Sequence, residues 1–484
     1  MPDLARGFLV AGAVYGVLLL TLGALSRMRR GRDTLSDFYL ADRSLGLVVL
    51  LLTLFATQYS GNSLSGFPGQ TYREGLAYYM AVTFMVAIVG GYLLFAPRLR
   101  QMAQEGSYLT PSDYLRERFG SPALEGVGTA ILIVTLVNFL LAQLMAMGHA
   151  ISGLSGGRIP YAWGVIGGGT VILAYELAGG MRAVAWTDAL QGVILVAGLL
   201  LAAALLYRIV GSPAELISAI AAVAPEKVAP PGWRTCNLWL SNFLLLGLGG
   251  PLYPQAIQRI YAARSLRDLR RALMTMAFLP HVAITTVVFV GLAGLVLFPG
   301  LSGTEADGIT FRVLAHVVAV EPLAYLPVLL VLLAVAAAIM STADSCLLSL
   351  SSLLTRDVVA RLGGLDGRRA ERLTGLGSLS SILVMVALVA VALRPVVTLW
   401  DLLVLKFEIL IQLSPAFVLG TLHRADEPGA FSARDVLAGL GAGLLVALGL
   451  TFTGHRVLWG FHAGTLGVTA NYLSVVIFRR ARFR

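Results

Sequence analysis

Apolar residues fill this chain in long windows, separated by short polar stretches, from one end to the other. A bilayer core of roughly 30 Å needs about 20 apolar residues per helix. Windows of that kind recur near residues 7–26, 45–66, 77–97, 124–154, 161–179, 184–208, 237–257, 273–299, 323–355, 375–393, 396–421, 435–453 and 458–478. They predict an all-α integral membrane protein with about thirteen transmembrane helices, numbered here as spans I to XIII. Two spans carry an interruption inside the apolar run. Span II reads Ala56-Thr57-Gln58-Tyr59-Ser60-Gly61-Asn62-Ser63, then Gly66-Phe67-Pro68-Gly69; span VII reads Leu246-Gly247-Leu248-Gly249-Gly250-Pro251, then Pro254. Glycine loosens helical backbone and proline removes a donor, so both spans are expected to unwind and free carbonyls. Within lipid such backbone is tolerated only where protein or a water-filled cavity surrounds it.

The spacing of the interruptions adds to this. Spans II and VII lie five apart and so cross in opposite directions, the arrangement of broken helices around the midplane site of a secondary transporter. We therefore expect a single transmembrane domain with inverted five-helix repeats at 45–208 and 237–421. One peripheral helix precedes them at 7–26, and two follow at 435–478. Close helix packing is the plainer account of the same glycines; the matched positions weigh against it.

Composition and charge agree with a membrane protein. The 484 residues are 57% hydrophobic and 13% charged, against roughly 25% charged in soluble domains. The net charge of +10 would suit nucleic acid if it were clustered, but it is distributed by topology. With the N-terminus outside, about 26 of the 36 Lys and Arg residues fall in cytoplasmic loops and the C-terminal tail. The loops 258–272 and 356–374 carry Arg259, Arg264, Arg267, Arg270, Arg271, Arg356, Arg361, Arg368, Arg369 and Arg372. The first span lacks a basic leader and a small-residue cleavage site, so it reads as a helix and not a signal peptide. Its basic cluster (Arg27, Arg29, Arg30, Arg32) follows it and places the N-terminus outside. Cys236 and Cys346 show no metal or redox spacing and read as unpaired.

Chemistry is concentrated in a few polar residues at membrane depth. Span IX holds Ser341, Thr342, Asp344 and Ser345, with Ser341 and Ser345 on one face. Span VI holds Asp188 and Gln191 on one face. Polar groups there are expensive and tend to face a cavity, a partner or an ion path. Hydroxyls beside a carboxylate suit a small hard cation such as sodium. A lone Ser more often bonds back to its own helix; the cluster with two carboxylates favours an ion site. Span XI carries Asp401, Glu408 and Gln412 on one face and Lys406 well off it. Lys406 then either meets a carboxylate on a neighbouring span or on the substrate, or forms a buried structural ion pair. Asn138, Gln143 and Asn242 are lesser pocket candidates, for which a helix-to-helix hydrogen bond is an equal account.

Five segments, in order, resemble the sodium:solute symporter family, whose members carry proline, pantothenate, sialic acid, monocarboxylates and sugars. They are Asp37-Phe38-Tyr39-Leu40-Ala41-Asp42-Arg43-Ser44-Leu45-Gly46, the span II interruption through Tyr72, and Trp186-Thr187-Asp188-Ala189-Leu190-Gln191-Gly192. The others are Pro254-Gln255-Ala256-Ile257-Gln258-Arg259 and Ala338-Ile339-Met340-Ser341-Thr342-Ala343-Asp344-Ser345, with Ser351, Ser352 and Asp357 downstream. The resemblance implies a leucine-transporter-type inverted-repeat fold and sodium-driven alternating access. By position, the main sodium site would use the carbonyls of Ala56, Tyr59 and Ala338 with the hydroxyls of Ser341 and Thr342. The second cation site of some members would map to Asp188, Ser341, Asp344 and Ser345. Asp344 stands where a small residue can stand, so a proton is the alternative occupant. Substrate contacts would come from Gln58, Ser60 and Ser63, with weaker claims for Asn138, Asn242 and Gln412.

The expectation is a cation-coupled symporter of the cytoplasmic membrane, taking up a small organic solute with sodium as coupling ion and no organic cofactor. Its partners would be solute, sodium and lipid, not nucleic acid. The span II resemblance tilts the solute toward a carboxylate. A proton-coupled or uncoupled carrier of the same fold is the main rival, favoured by Lys406, Asp344 and Glu408. A membrane sensor is disfavoured, since no signalling module follows span XIII. The six histidines form no metal spacing and no nucleophile–base pair is apparent, which argues against an enzyme. Paired broken helices suit an occluding site better than a channel.

Overall fold

A computed structural model describes residues 4–28, 35–155, 157–360, 370–394, 398–423, 427 and 430–482. The basic residues Arg29, Arg30, Arg32, Arg361, Arg368 and Arg369 lie outside these. The chain is helical almost throughout. Its helices are α1 (Leu4–Met28), α2 (Leu35–Leu40), α3 (Leu47–Gln58), α4 (Phe67–Glu74), α5 (Ala81–Glu105), α6 (Pro111–Phe119) and α7 (Pro122–Leu154). Next come α8 (Tyr161–Val210), α9 (Pro213–Val223), α10 (Trp233–Gly249), α11 (Pro254–Ala262), α12 (Leu266–Met276), α13 (Leu279–Leu297) and α14 (Ile309–Val320). The last are α15 (Tyr325–Ser352), α16 (Ala370–Ala392), α17 (Leu399–Leu410), α18 (Ser414–Leu422), α19 (Ala433–Phe452) and α20 (Ala463–Arg482). Between α19 and α20 a small hairpin pairs β1 (Val457–Leu458) with β2 (Phe461–His462).

Local sequence explains the boundaries. Ser212, Thr398 and Ser432 open α9, α17 and α19 through reciprocal capping boxes with Glu215, Asp401 and Asp435, which satisfy amides that have no partner within the helix. Spans V and VI form the single element α8, kinked at Gly180, whose φ of 60° and ψ of −156° are open to glycine alone.

Among the described residues, nine helical segments are long and apolar enough to cross a membrane, fewer than the thirteen expected. Four expected spans are not among the nine: V at 161–179, XIII at 458–478, and the two interrupted spans. Span II divides into α3, which has only 12 residues, a wide turn over Asn62–Gly66, and α4. Span VII divides into α10, a tight turn at Gly250–Leu252, and α11. None of these pieces is a full apolar crossing by itself.

One expectation is corrected outright. Arg259, expected in a cytoplasmic loop with its basic neighbours, lies inside α11 with no exposed surface. The apolar window ended too early because α11 is short and polar while every one of its residues is buried. Both cysteines are free, Cys236 exposed and Cys346 buried. The interrupted helices and α7, α15 and α17 pack together in the interior, which positions the site.

Candidate functional site

The first interruption is built from redirected amides. Tyr59 leaves α3 at φ −99° and ψ 97°. The Ser60 amide then turns to the Ser63 hydroxyl at 3.4 Å, while the amides of Ser63 and Leu64 donate to the Ser60 carbonyl at 2.9 and 3.1 Å. The carbonyls of Ala56 and Tyr59 are thereby left outside the helical ladder, as at any helix end. Gly61 holds the turn against its neighbours. Its amide donates to Gln143 Oε1 of α7 at 2.9 Å, and a Cβ there would stand 2.7 Å from Ala146 and 2.9 Å from Ile339 of α15.

Helix α15 packs on α3 and brings the expected hydroxyls to the same interior. Ala56, Tyr59, Ala338, Ser341 and Thr342 are all buried. Thr342 Oγ1 has no hydrogen-bond partner among the described residues, an orphan that a buried polar group does not tolerate without cost. An oxygen-only set of freed carbonyls and hydroxyls on two packed helices is the donor chemistry that sodium takes.

Beside it lies a charged cluster. Asp188 of α8 accepts from Thr53 of α3, from Ser341 Oγ at 2.5 Å, and from Arg259 Nη2 at 2.5 Å. The same guanidinium donates to Ser345 Oγ at 2.6 Å and to the hydroxyl of Thr53 at 2.7 Å, and Ser345 Oγ donates to the Ser341 carbonyl at 2.7 Å. Asp344 comes within 3.2 Å of Ser345 Oγ through Oδ1, and its Oδ2 has no partner among the described residues. The four residues expected around a second cation therefore share one cluster, but Arg259 supplies positive charge inside it. Sequence reasoning missed Arg259 and Thr53 because their partners lie far away along the chain, on three other helices. The signal available in the sequence is the Pro254–Arg259 segment, which carries the family resemblance and ends on that arginine.

A family model described as sodium:solute symporter family matches residues 38–436 of this chain. The chain belongs to that family. It is a multi-pass membrane protein and a sodium-coupled symporter, whose solute family membership leaves open. The high-affinity proline transporter of Bacillus subtilis (strain 168) is 29% identical over 331 residues, 67% of this chain and 68% of the relative. The sodium/pantothenate symporter of Escherichia coli (strain K12) is 24% identical over 455 residues, 91% of each. Among solved structures, a Na+-coupled sialic acid symporter in a substrate-bound outward-open state is similar with a TM-score of 0.77 at 18% identity, over 99% of this chain and 98% of that one. MhsT in complex with L-phenylalanine is similar with a TM-score of 0.55 at 13% identity, over 89% and 97%. These likenesses establish the leucine-transporter-type inverted-repeat fold.

The remaining candidates of this symporter separate into distinct places. Gln58 donates to the Tyr92 hydroxyl of α5 at 2.5 Å and lies, with Ser60 and Ser63, at the first interruption. Asn138 of α7 has a side-chain oxygen without a partner among the described residues. Asn242 instead meets His462 at 3.1 Å on the wall of a 270 Å³ cavity that Trp239, Asp401 and Glu408 also line. Gln412 donates to the carbonyls of Glu408 and Gly464 at 3.1 and 2.9 Å, which ties α17 to α20. Asp401 and Glu408 thus share that cavity with Gln70 and Glu74 of α4, while Gln412 faces α20.

Lys406 looks toward the interruptions. Its side chain is buried, and its ammonium stands 3.0 Å from the ring centroid of Phe139 on α7, 4.9 Å from Tyr253 and 5.3 Å from Phe407. Tyr253 closes the turn of the second interruption. Nζ has no hydrogen-bond partner among the described residues, so the buried ion pair considered for it is not formed. Burying an ammonium within a membrane-spanning helix costs about 3 kcal/mol or more, and a desolvated ring contact recovers about 2 kcal/mol. That contact leaves its N–H groups without a hydrogen bond among the described residues.

Proposed function

We propose that this symporter takes up a small organic solute across the cytoplasmic membrane by alternating access. Sodium is held by the carbonyls of Ala56, Tyr59 and Ala338 and the hydroxyls of Ser341 and Thr342. The observation that carries this reading is the pair of freed carbonyls at the end of α3, together with the unpartnered Thr342 hydroxyl on α15, a helix that packs on α3. Bound there, the ion joins the first interrupted helix to α15, the first repeat to the second. Because it stabilises that arrangement over the separated one, the gradient of the ion biases the transport cycle. The solute sits between the two interruptions, against Gln58, Ser60, Ser63 and Asn138; Asn242, at the 270 Å³ cavity, and Gln412, bonded toward α20, keep weaker claims. The repeats span 45–208 and 237–421, the N-terminus lies outside and the C-terminus in the cytoplasm, as the charge distribution favours.

A second reading concerns the cluster of Asp188, Asp344 and Ser345. Arg259 balances Asp188, so a second coupling cation there is held by Asp344 with Ser345, and the unpartnered Asp344 oxygen suits a proton as well as sodium. Uptake into proteoliposomes, measured across separate sodium and pH gradients, tests both readings. Sodium-driven uptake supports the main site. Uptake driven by pH and indifferent to sodium would discard it in favour of Asp344.

A further inference from the structure

We propose that Lys406 anchors a carboxylate of the transported solute, so that this symporter carries small organic acids or zwitterionic amino acids. The inference rests on the reading of the two interruptions as the solute's site. Three observations converge on it. The ammonium is buried, and among the described residues no acceptor or counter-charge meets it. It lies at the junction of both interrupted helices: α17 packs on the Asn62–Gly66 turn and on α7, and Tyr253 of the second interruption is one of its ring neighbours. Glu408, the nearest carboxylate on the same helix, is turned to the other side and stands 4.0 Å from His462.

Such a site selects by charge. A carboxylate offers two acceptor oxygens and the missing negative charge, whereas an amide or alcohol of equal size leaves the ammonium uncompensated. The rings of Phe139, Tyr253 and Phe407 lie tilted against one another with centroids 4.9 and 5.3 Å apart. They confine the charge and offer an apolar surface to the body of the solute, which favours compact acids over sugars.

The test is thermal stability of the purified protein in sodium buffer with matched probes: propionate against propionamide, pyruvate against hydroxyacetone, and proline against prolinamide. At least one acid is expected to raise the melting temperature where its uncharged or amidated partner does not, and the responding pair separates a plain acid from a zwitterion. Lys406→Met is expected to weaken binding of that acid roughly 100-fold. The variant without solute should melt no lower than the wild type, since it loses a charge that had no partner. An acid and its amide binding equally, no acid binding at all, or full acid affinity in Lys406→Met would each overturn the proposal. Should that variant fail to fold, the acid–amide comparison on the wild type decides alone. Sodium titrated without solute reads the ion site separately. Acid binding through Lys406 with no response to sodium would uphold this inference while removing the proposed sodium site.

Discussion

Arg259 shows how a single side chain can change the ion chemistry of a membrane site. Its guanidinium is fully buried with Asp188 and two hydroxyls, so each charge is tolerated only because the other is present. Arg259→Met and Asp188→Asn are each expected to lower stability by about 3–5 kcal/mol, because each strands a buried charge. The double variant should be less destabilised than the sum of the two, and melting curves of the three proteins in one detergent check this. Thr342 is the opposite case, a hydroxyl with no partner to strand. Thr342→Ala should leave stability without sodium nearly unchanged and raise the sodium concentration for half-maximal uptake about 10-fold, from the loss of one oxygen ligand. Maximal uptake at saturating sodium should fall far less. Equal sodium dependence in variant and wild type would remove Thr342 from the ion site.

At the scale of elements, the interrupted helices owe their shape to what surrounds them. Glycine at 61 loosens α3, but the turn is held by Gln143 of α7 and by the proximity of Ile339 on α15. Gly61→Ala should cost about 1–3 kcal/mol through overpacking and abolish most uptake, since it displaces the segment that carries the freed carbonyls. Gly16→Ala on α1, where an added Cβ meets nothing, is the control: it should stabilise by up to about 1 kcal/mol and leave uptake intact. Uptake and melting measured together separate the two effects. The same contrast explains two of the four crossings missing from the nine. The sequence windows register apolar length, which long helices such as α7 and α15 possess, whereas α3, α10 and α11 reach across only as joined pieces.

For the whole molecule, sodium should act as a stabilising ligand that bridges the two repeats. At 100 times its dissociation constant it adds about 2.7 kcal/mol, so the melting temperature should rise with sodium and not with equal potassium. The rise should shrink in Thr342→Ala. Topology has its own check in the free thiols. Cys236 at the start of α10 is exposed, and the proposed orientation puts it on the outer side. An impermeant maleimide should therefore label it in right-side-out vesicles while Cys346 stays protected. Labelling only from the inner side would reverse the proposed orientation.

The sequence by itself determined the solvent this protein lives in, its helical character, the two interrupted spans and the hydroxyl-rich turn of α15. All of these are local: apolar length, glycine and proline, and residues four apart on one face are written in consecutive positions. It also carried the family resemblance, which membership confirms. Only the tertiary structure decided what the charges face. Arg259 looked like one more loop arginine until α11 was buried, and Asp188 acquired a counter-ion from a residue 71 positions away. The face of α17 could be drawn from helical spacing, but not that one side would meet α20 and the other a set of rings that leave Lys406 without a hydrogen bond among the described residues. Helical period tells which side chains point together; it is packing between distant segments that sets whether a buried charge finds a partner or waits for one.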